Sequence, residues 1–97
     1  MMVGTLHVRM RLREARSLKD KRQVVRSIID RLRGAYNVSV AEIDALDQAQ
    51  FAELGIAAVG PEAQMLHQVL EQVRENLRRH PIAEFIDGQV TVQRILD

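Results

Sequence analysis

From Leu6 to Arg13 the chain alternates without a fault, with Leu6, Val8, Met10 and Leu12 on one side and His7, Arg9, Arg11 and Arg13 on the other. Successive side chains of a strand point to opposite faces, so this run predicts a strand with one buried face and one face made only of basic and imidazole groups. The fold that holds such a strand has to cover one side of its sheet and leave the other to solvent or to a partner. That requirement limits the arrangements open to the rest of the chain.

A helix follows. Ser17 stands where a helix cap belongs and Asp20, three residues on, completes a capping box, so the helix is expected to begin at Leu18. Leu18, Val25, Ile28, Ile29 and Leu32 recur at helical spacing as its core stripe, with Val24 at the edge, and Gly34 is expected to end it. Tyr36 to Asp44 reads as a second strand whose alternation fails, because Val38 and Val40 point one way and Ala41 and Ile43 the other. A bulge near Val40 would reconcile them. Ala45 to Gln50 is read as a turn, and Phe51 to Val59 as a third strand with Leu54, Ile56 and Ala58 facing the core.

Gly60-Pro61 punctuates the chain, and Pro61 suits the first position of a second helix because its missing amide hydrogen is not needed there. Ala63, Leu66, Leu70, Val73 and Leu77 line the buried side of that helix, which runs to about Arg79 and is stopped by Pro81. Ala83 to Leu96 supplies the last strand, with Asp87-Gly88 as either a bulge or a hairpin turn. The order β-α-β-β-α-β predicts an α+β, ferredoxin-like sandwich in which a four-stranded antiparallel sheet carries both helices on one face. Right-handed crossovers put the first and third strands at the centre. With 97 residues and no linker or repeat, one domain over 1–97 is expected.

The formal net charge of +1 hides a division. Residues 1–34 carry ten Lys/Arg against three Asp/Glu, and residues 35–97 carry four against ten. Lys19, Arg22, Arg26 and Arg33 share the outer face of the first helix, with Asp30 among them, a pattern that can track phosphates along a nucleic-acid backbone or serve as a solvated face. Arg16, Lys19, Lys21, Arg22 and Arg26 form the candidate RNA or anion-binding cluster. Lys19, Lys21 and Arg22 fall in the first turns, where positive charge opposes the helix dipole, and an anion beside the free amides would account for them. The second candidate surface is the strand face His7, Arg9, Arg11 and Arg13, open to self-association or to pairing with Glu42, Asp44 or Glu53 on neighbouring strands.

Other chemistries find less support. The chain has no cysteine, and no apolar run reaches the 18 or so residues of a membrane span. Met1-Met2-Val3-Gly4 leads into the first strand without a signal-peptide pattern, so a cytoplasmic protein that makes no membrane contact is expected. His7, His67 and His80 show no metal-ligand spacing, and the turn acids Asp44 and Asp47 do not make a cation site, so neither metal nor cofactor is expected. With only Tyr36, Phe51 and Phe85 as aromatics, recognition of single strands by base stacking is disfavoured, whereas phosphate-led binding to structured RNA is not.

Three blocks carry a resemblance: Ala15-Arg16-Ser17-Leu18-Lys19-Asp20-Lys21-Arg22, Asn37-Val38-Ser39-Val40-Ala41-Glu42 and Ala52-Glu53-Leu54-Gly55-Ile56-Ala57. Together they resemble the YlxP-like family of small bacterial proteins of unknown function. The resemblance implies a ferredoxin-like fold and a gene neighbourhood of translation initiation and ribosome maturation, and it brings no catalytic residues. The expectation is a non-enzymatic accessory factor meeting structured RNA or the small ribosomal subunit, and forming a homodimer. The alternatives are a homo-oligomeric protein-interaction module without nucleic acid and, more remotely, an acylphosphatase-like hydrolase. Arg16 and Asn37 could imitate that enzyme's arginine-asparagine pair, but Glu14-Ala15-Arg16-Ser17 lacks its glycine-rich phosphate loop.

Overall fold

The computed structural model describes residues 1–96. Its elements are β1 (Met2–Arg11), α1 (Leu18–Ala35), β2 (Ser39–Asp44), β3 (Phe51–Gly60), α2 (Ala63–Arg78) and β4 (Glu84–Arg94). The sheet runs β2-β3-β1-β4, every neighbouring pair antiparallel, so the first and third strands are central as the crossover rule requires. α1 packs over β2 and β3 while α2 packs over β1, β4 and β3, leaving the opposite sheet face without a helix. This is the ferredoxin-like α+β arrangement.

The core forms between the helices and the even-numbered side of β1, where Leu6, Val8 and Met10 are fully buried against Leu54, Ile56, Leu70, Val73 and Leu77. Burying a side chain of this size stabilises the fold by about 1.5–3 kcal/mol, so this layer is the main favourable contribution to folding. Gly4 belongs to the same layer, since a Cβ there would stand 2.7 Å from Leu70 Cδ1. Its lack of a side chain is what allows α2 to settle directly on β1.

Several boundaries differ from the sequence reading. β1 leaves the ladder at Arg11, and Leu12, although buried, instead donates its amide to Gln50 O at 2.8 Å. Gly34 lies inside α1, which closes through Tyr36 N–H to Leu32 O at 2.9 Å with Tyr36 extended; no left-handed residue is needed at that end. Pro61 precedes Glu62, the N-cap residue of α2, and so is not its first helical residue. The bulge in β2 falls between Glu42 and Asp44, at Ile43, and Val40 stays in register opposite Ile56. β4 is one strand and not a hairpin: Arg9 faces Asp87 while Met10 faces Phe85, which leaves Ile86 as the extra residue.

Candidate functional site

The site is set by how α1 starts. Ser17 is extended, and its Oγ accepts from Asp20 N–H at 3.1 Å. The Asp20 carboxylate turns back to accept from Arg16 N–H at 2.9 Å. The return bond thus goes to the amide one residue before the N-cap, and a carboxylate of the chain itself stands in the first turn, at the positive end of the helix. Asp20 therefore sets one negative charge beside the cations at the start of α1 without taking a helical amide.

Beyond the cap, Lys19, Arg22 and Arg26 lie on the solvent face of α1, all exposed. With a rise of about 1.5 Å per residue they follow one another at roughly 4.5 and 6 Å along the axis. Gln23, Ser27, Asp30 and Arg31 join them along a shallow trough. The side chains of Arg16, Lys19, Arg22 and Arg26 make no ion pair, hydrogen bond or ring contact among the described residues. Arg33, read as part of the same stripe, is instead turned to the sheet edge, where Nη2 donates to Val40 O at 2.9 Å.

Lys21 is the main departure. It is fully buried, a place where its ammonium can meet no external phosphate. Together with Val25, Ile28 and Leu32 it completes the buried stripe of α1, at spacings of four, three and four. Nζ donates to Ala45 O at 2.7 Å and Phe51 O at 3.1 Å and lies 2.8 Å from Glu42 Oε2, an ion pair whose angle falls short of a hydrogen bond. Ala45 is held at φ 58, a left-handed conformation costly for a residue with a Cβ, and its carbonyl is one of the two acceptors. Lys21 thus fastens α1 to both ends of the β2–β3 connection. Sequence spacing carried the signal, since position 21 lies four residues before Val25 on the core stripe, but the basic character of its neighbours hid it.

On the open sheet face three members of the row His7, Arg9, Arg11 and Arg13 have side-chain partners within the chain. His7 Nε2 lies 2.7 Å from Glu53 Oε1, and the Arg11 guanidinium stands over the Phe51 ring at 5.6 Å. Arg13, beyond the end of β1, donates through Nε to Glu84 Oε2 at 2.8 Å; this bond and the opposite charge hold the Glu84 carboxyl below its usual range. Arg9 sits between Glu53 and Asp87 in register, yet makes no contact of its own among the described residues. Of the other expected acidic partners, Glu42 turns inward to Lys21 and Asp44 accepts from the amide of Ala45 at 2.8 Å. Neither reaches the row of arginines. The face also shows apolar surface, with Val59 67% and Ile43 50% exposed. Ile43 lies over Gly55, where a Cβ would come within 2.9 Å of its Cγ2.

The remaining candidates do not converge. Arg16 precedes α1 and Asn37 follows it, so a helix of about 27 Å separates the pair that an acylphosphatase would bring together. His80 is used locally: Nδ1 accepts from the amides of Ile82 at 3.1 Å and Ala83 at 2.9 Å, and burial with the nearby Arg31 charge lowers its pKa. Among the described residues no three His, Asp or Glu side chains gather as a metal site, and no helix is long and apolar enough to cross a membrane.

Residues 3–90 match DUF503, a protein family of unknown function. The chain is also 35% identical over 72 residues to the uncharacterized protein YlxP of Bacillus subtilis (strain 168), covering 74% of this chain and 78% of that protein. The chain belongs to the DUF503 family. In this DUF503 chain the three blocks that resemble the YlxP-like proteins come together at one joint. The first supplies the cap and Lys21, the second supplies Glu42, and the third supplies the β3 residues that pair with Val40 and Glu42. Much of the family resemblance therefore describes how α1 is fastened to the sheet, and Arg16, Lys19 and Arg22 are the cations of the first block that face outward.

Proposed function

We propose that this DUF503 protein is a non-enzymatic cytoplasmic accessory factor that contacts structured RNA through the solvent face of α1, in the setting of the small ribosomal subunit, and that it acts as a homodimer. The observation that carries the reading is the row Lys19, Arg22 and Arg26: exposed, aligned and without side-chain partners among the described residues, with Arg16 beside its start. Cations already paired inside a protein have little to offer a phosphate, whereas unpaired ones release counterions on binding. Lys21 is withdrawn from the contact set because it is buried. No aromatic side chain lines the trough, so recognition is led by phosphate and shape and not by base stacking. The ribosomal setting rests on the resemblance to YlxP-like proteins and their gene neighbourhood.

The test is titration of purified small-subunit ribosomal RNA, and of small subunits, at several salt concentrations with the parent protein and with Lys19→Ala/Arg22→Ala/Arg26→Ala. The triple variant is expected to bind more weakly on every sequence, with a log-affinity against log-salt slope shallower by roughly one for each lost phosphate contact. Failure of the parent to bind either target overturns the reading, as does a folded triple variant with unchanged affinity and slope. Substitution-sensitive binding to a protein alone assigns the chain to protein-interaction modules instead.

A further inference from the structure

We infer that the open sheet face is the contact between two copies of this chain, stacked face to face about a two-fold axis running along the strands between β1 and β3. The inference rests on the homodimer reading above and gives it a surface. Its starting point is Arg9, the one member of the row His7, Arg9, Arg11, Arg13 whose side chain makes no hydrogen bond, ion pair or ring contact among the described residues.

The β1–β3 register makes this face self-complementary. An axis in that place lays β1 of one copy over β3 of the other at the same height along the strand. Residues paired within one chain then also meet across the interface: Arg9 with Glu53, Thr5 with Ala57, Val3 with Val59. Glu53 uses Oε1 for His7, which leaves its second oxygen for the Arg9 of the other copy. Symmetry makes that contact twice. The apolar end behaves consistently, because Val59 is 67% exposed in the single chain and would be covered by Val3 and Val59 of its mate.

The face is also of suitable size. Four strands at about 4.8 Å, the central pair ten residues long, present on the order of 600 Å². That approaches the roughly 800 Å² per partner of a standard interface. Sheets stacked in this way keep their strands within about 30° of parallel, so long side chains such as Arg9 and Glu53 stay within reach of each other.

The test is light scattering and sedimentation across protein concentration with the parent, Arg9→Glu, Glu53→Arg and Val59→Lys, each checked for an intact fold by circular dichroism. The parent is expected to dimerise. Each variant alone should raise the dimer dissociation constant about ten-fold or more, since like charges, or a charge on an apolar surface, then face each other. Mixing Arg9→Glu with Glu53→Arg should restore a dimer, because one copy then presents two acids where the other presents two arginines. A dimeric parent with all three variants equally dimeric overturns the assigned surface while the homodimer reading stands. A parent that stays monomeric overturns both. If the open-face amides of that monomer shift on adding small-subunit RNA, the face belongs to RNA.

Discussion

The solvent face of α1 and the open face of the sheet are both basic in sequence, but they differ in how much of that charge remains available. On the sheet side His7 is taken by Glu53, Arg13 by Glu84 and Arg11 by the Phe51 ring. On the helix side Lys19, Arg22 and Arg26 have no such partners among the described residues. Residue type counts cations, but only topology shows which acids come to meet them. The partners on the sheet lie 46 and 71 residues away in the chain. The contrast shows that a cation's place in the fold, and not its residue type, decides whether its charge is already engaged, which is why the two faces receive different proposals.

The sharpest way to break this division is to compare the two lysines that straddle it. Lys21→Ala removes one partner of a buried ion pair and strands Glu42, and should cost about 3–5 kcal/mol in a urea melt. Lys19→Ala, two residues away on the exposed face, should stay within about 0.5 kcal/mol. Replacing both members of the buried pair, as Lys21→Met/Glu42→Leu, should recover part of the loss. Equal effects at positions 19 and 21 would show that Lys21 does not fasten the helix.

A smaller effect sharpens the helix side. Ser17→Ala removes the acceptor for Asp20 N–H and should destabilise the protein by about 1 kcal/mol. If an added anion rescues that loss selectively, the start of α1 is an anion site; no rescue leaves the cap as a structural feature alone.

The smallest expected effect lies where the helix face meets the rest of the fold. His80 titrates below its ordinary 6.5 in the folded chain, through burial first and the Arg31 charge second. Its folded pKa is below its unfolded one, so its contribution to stability is present above about pH 6.5 and is lost as the pH falls through the folded value. Protonation of Nδ1 also removes the acceptor for the amides of Ile82 and Ala83. Arg31→Ala should raise the His80 midpoint in an NMR titration, and so should an anion bound along α1. A midpoint indifferent to both would uncouple the loop from the helix face.

The elements themselves were legible in the sequence, because their signals are local: period two in β1, the heptad-like stripe of α2, the Ser17–Asp20 box. The sites were less so. Lys21 sits on the core stripe of α1, but a lysine there is explained only once Glu42, Ala45 and Phe51 are brought beneath it. The bulge at Ile43 depends on Gly55 of the neighbouring strand, and that at Ile86 on the register with β1, neither of which any window of sequence contains.

Lys19 and Lys21 are the chain's only lysines. One stands in the proposed RNA surface, and the other is sealed under α1, hydrogen-bonded to two carbonyl oxygens and ion-paired with Glu42. A reagent that acylates primary amines thus finds one exposed lysine side chain, at position 19, besides the chain's own amino terminus. Modification of Lys19 follows whatever covers the helix face, and modification of Lys21 can proceed only after α1 has lifted from the sheet. The chain therefore carries two chemically identical reporters two residues apart, one for the exposure of the helix face and the other for the opening of the fold.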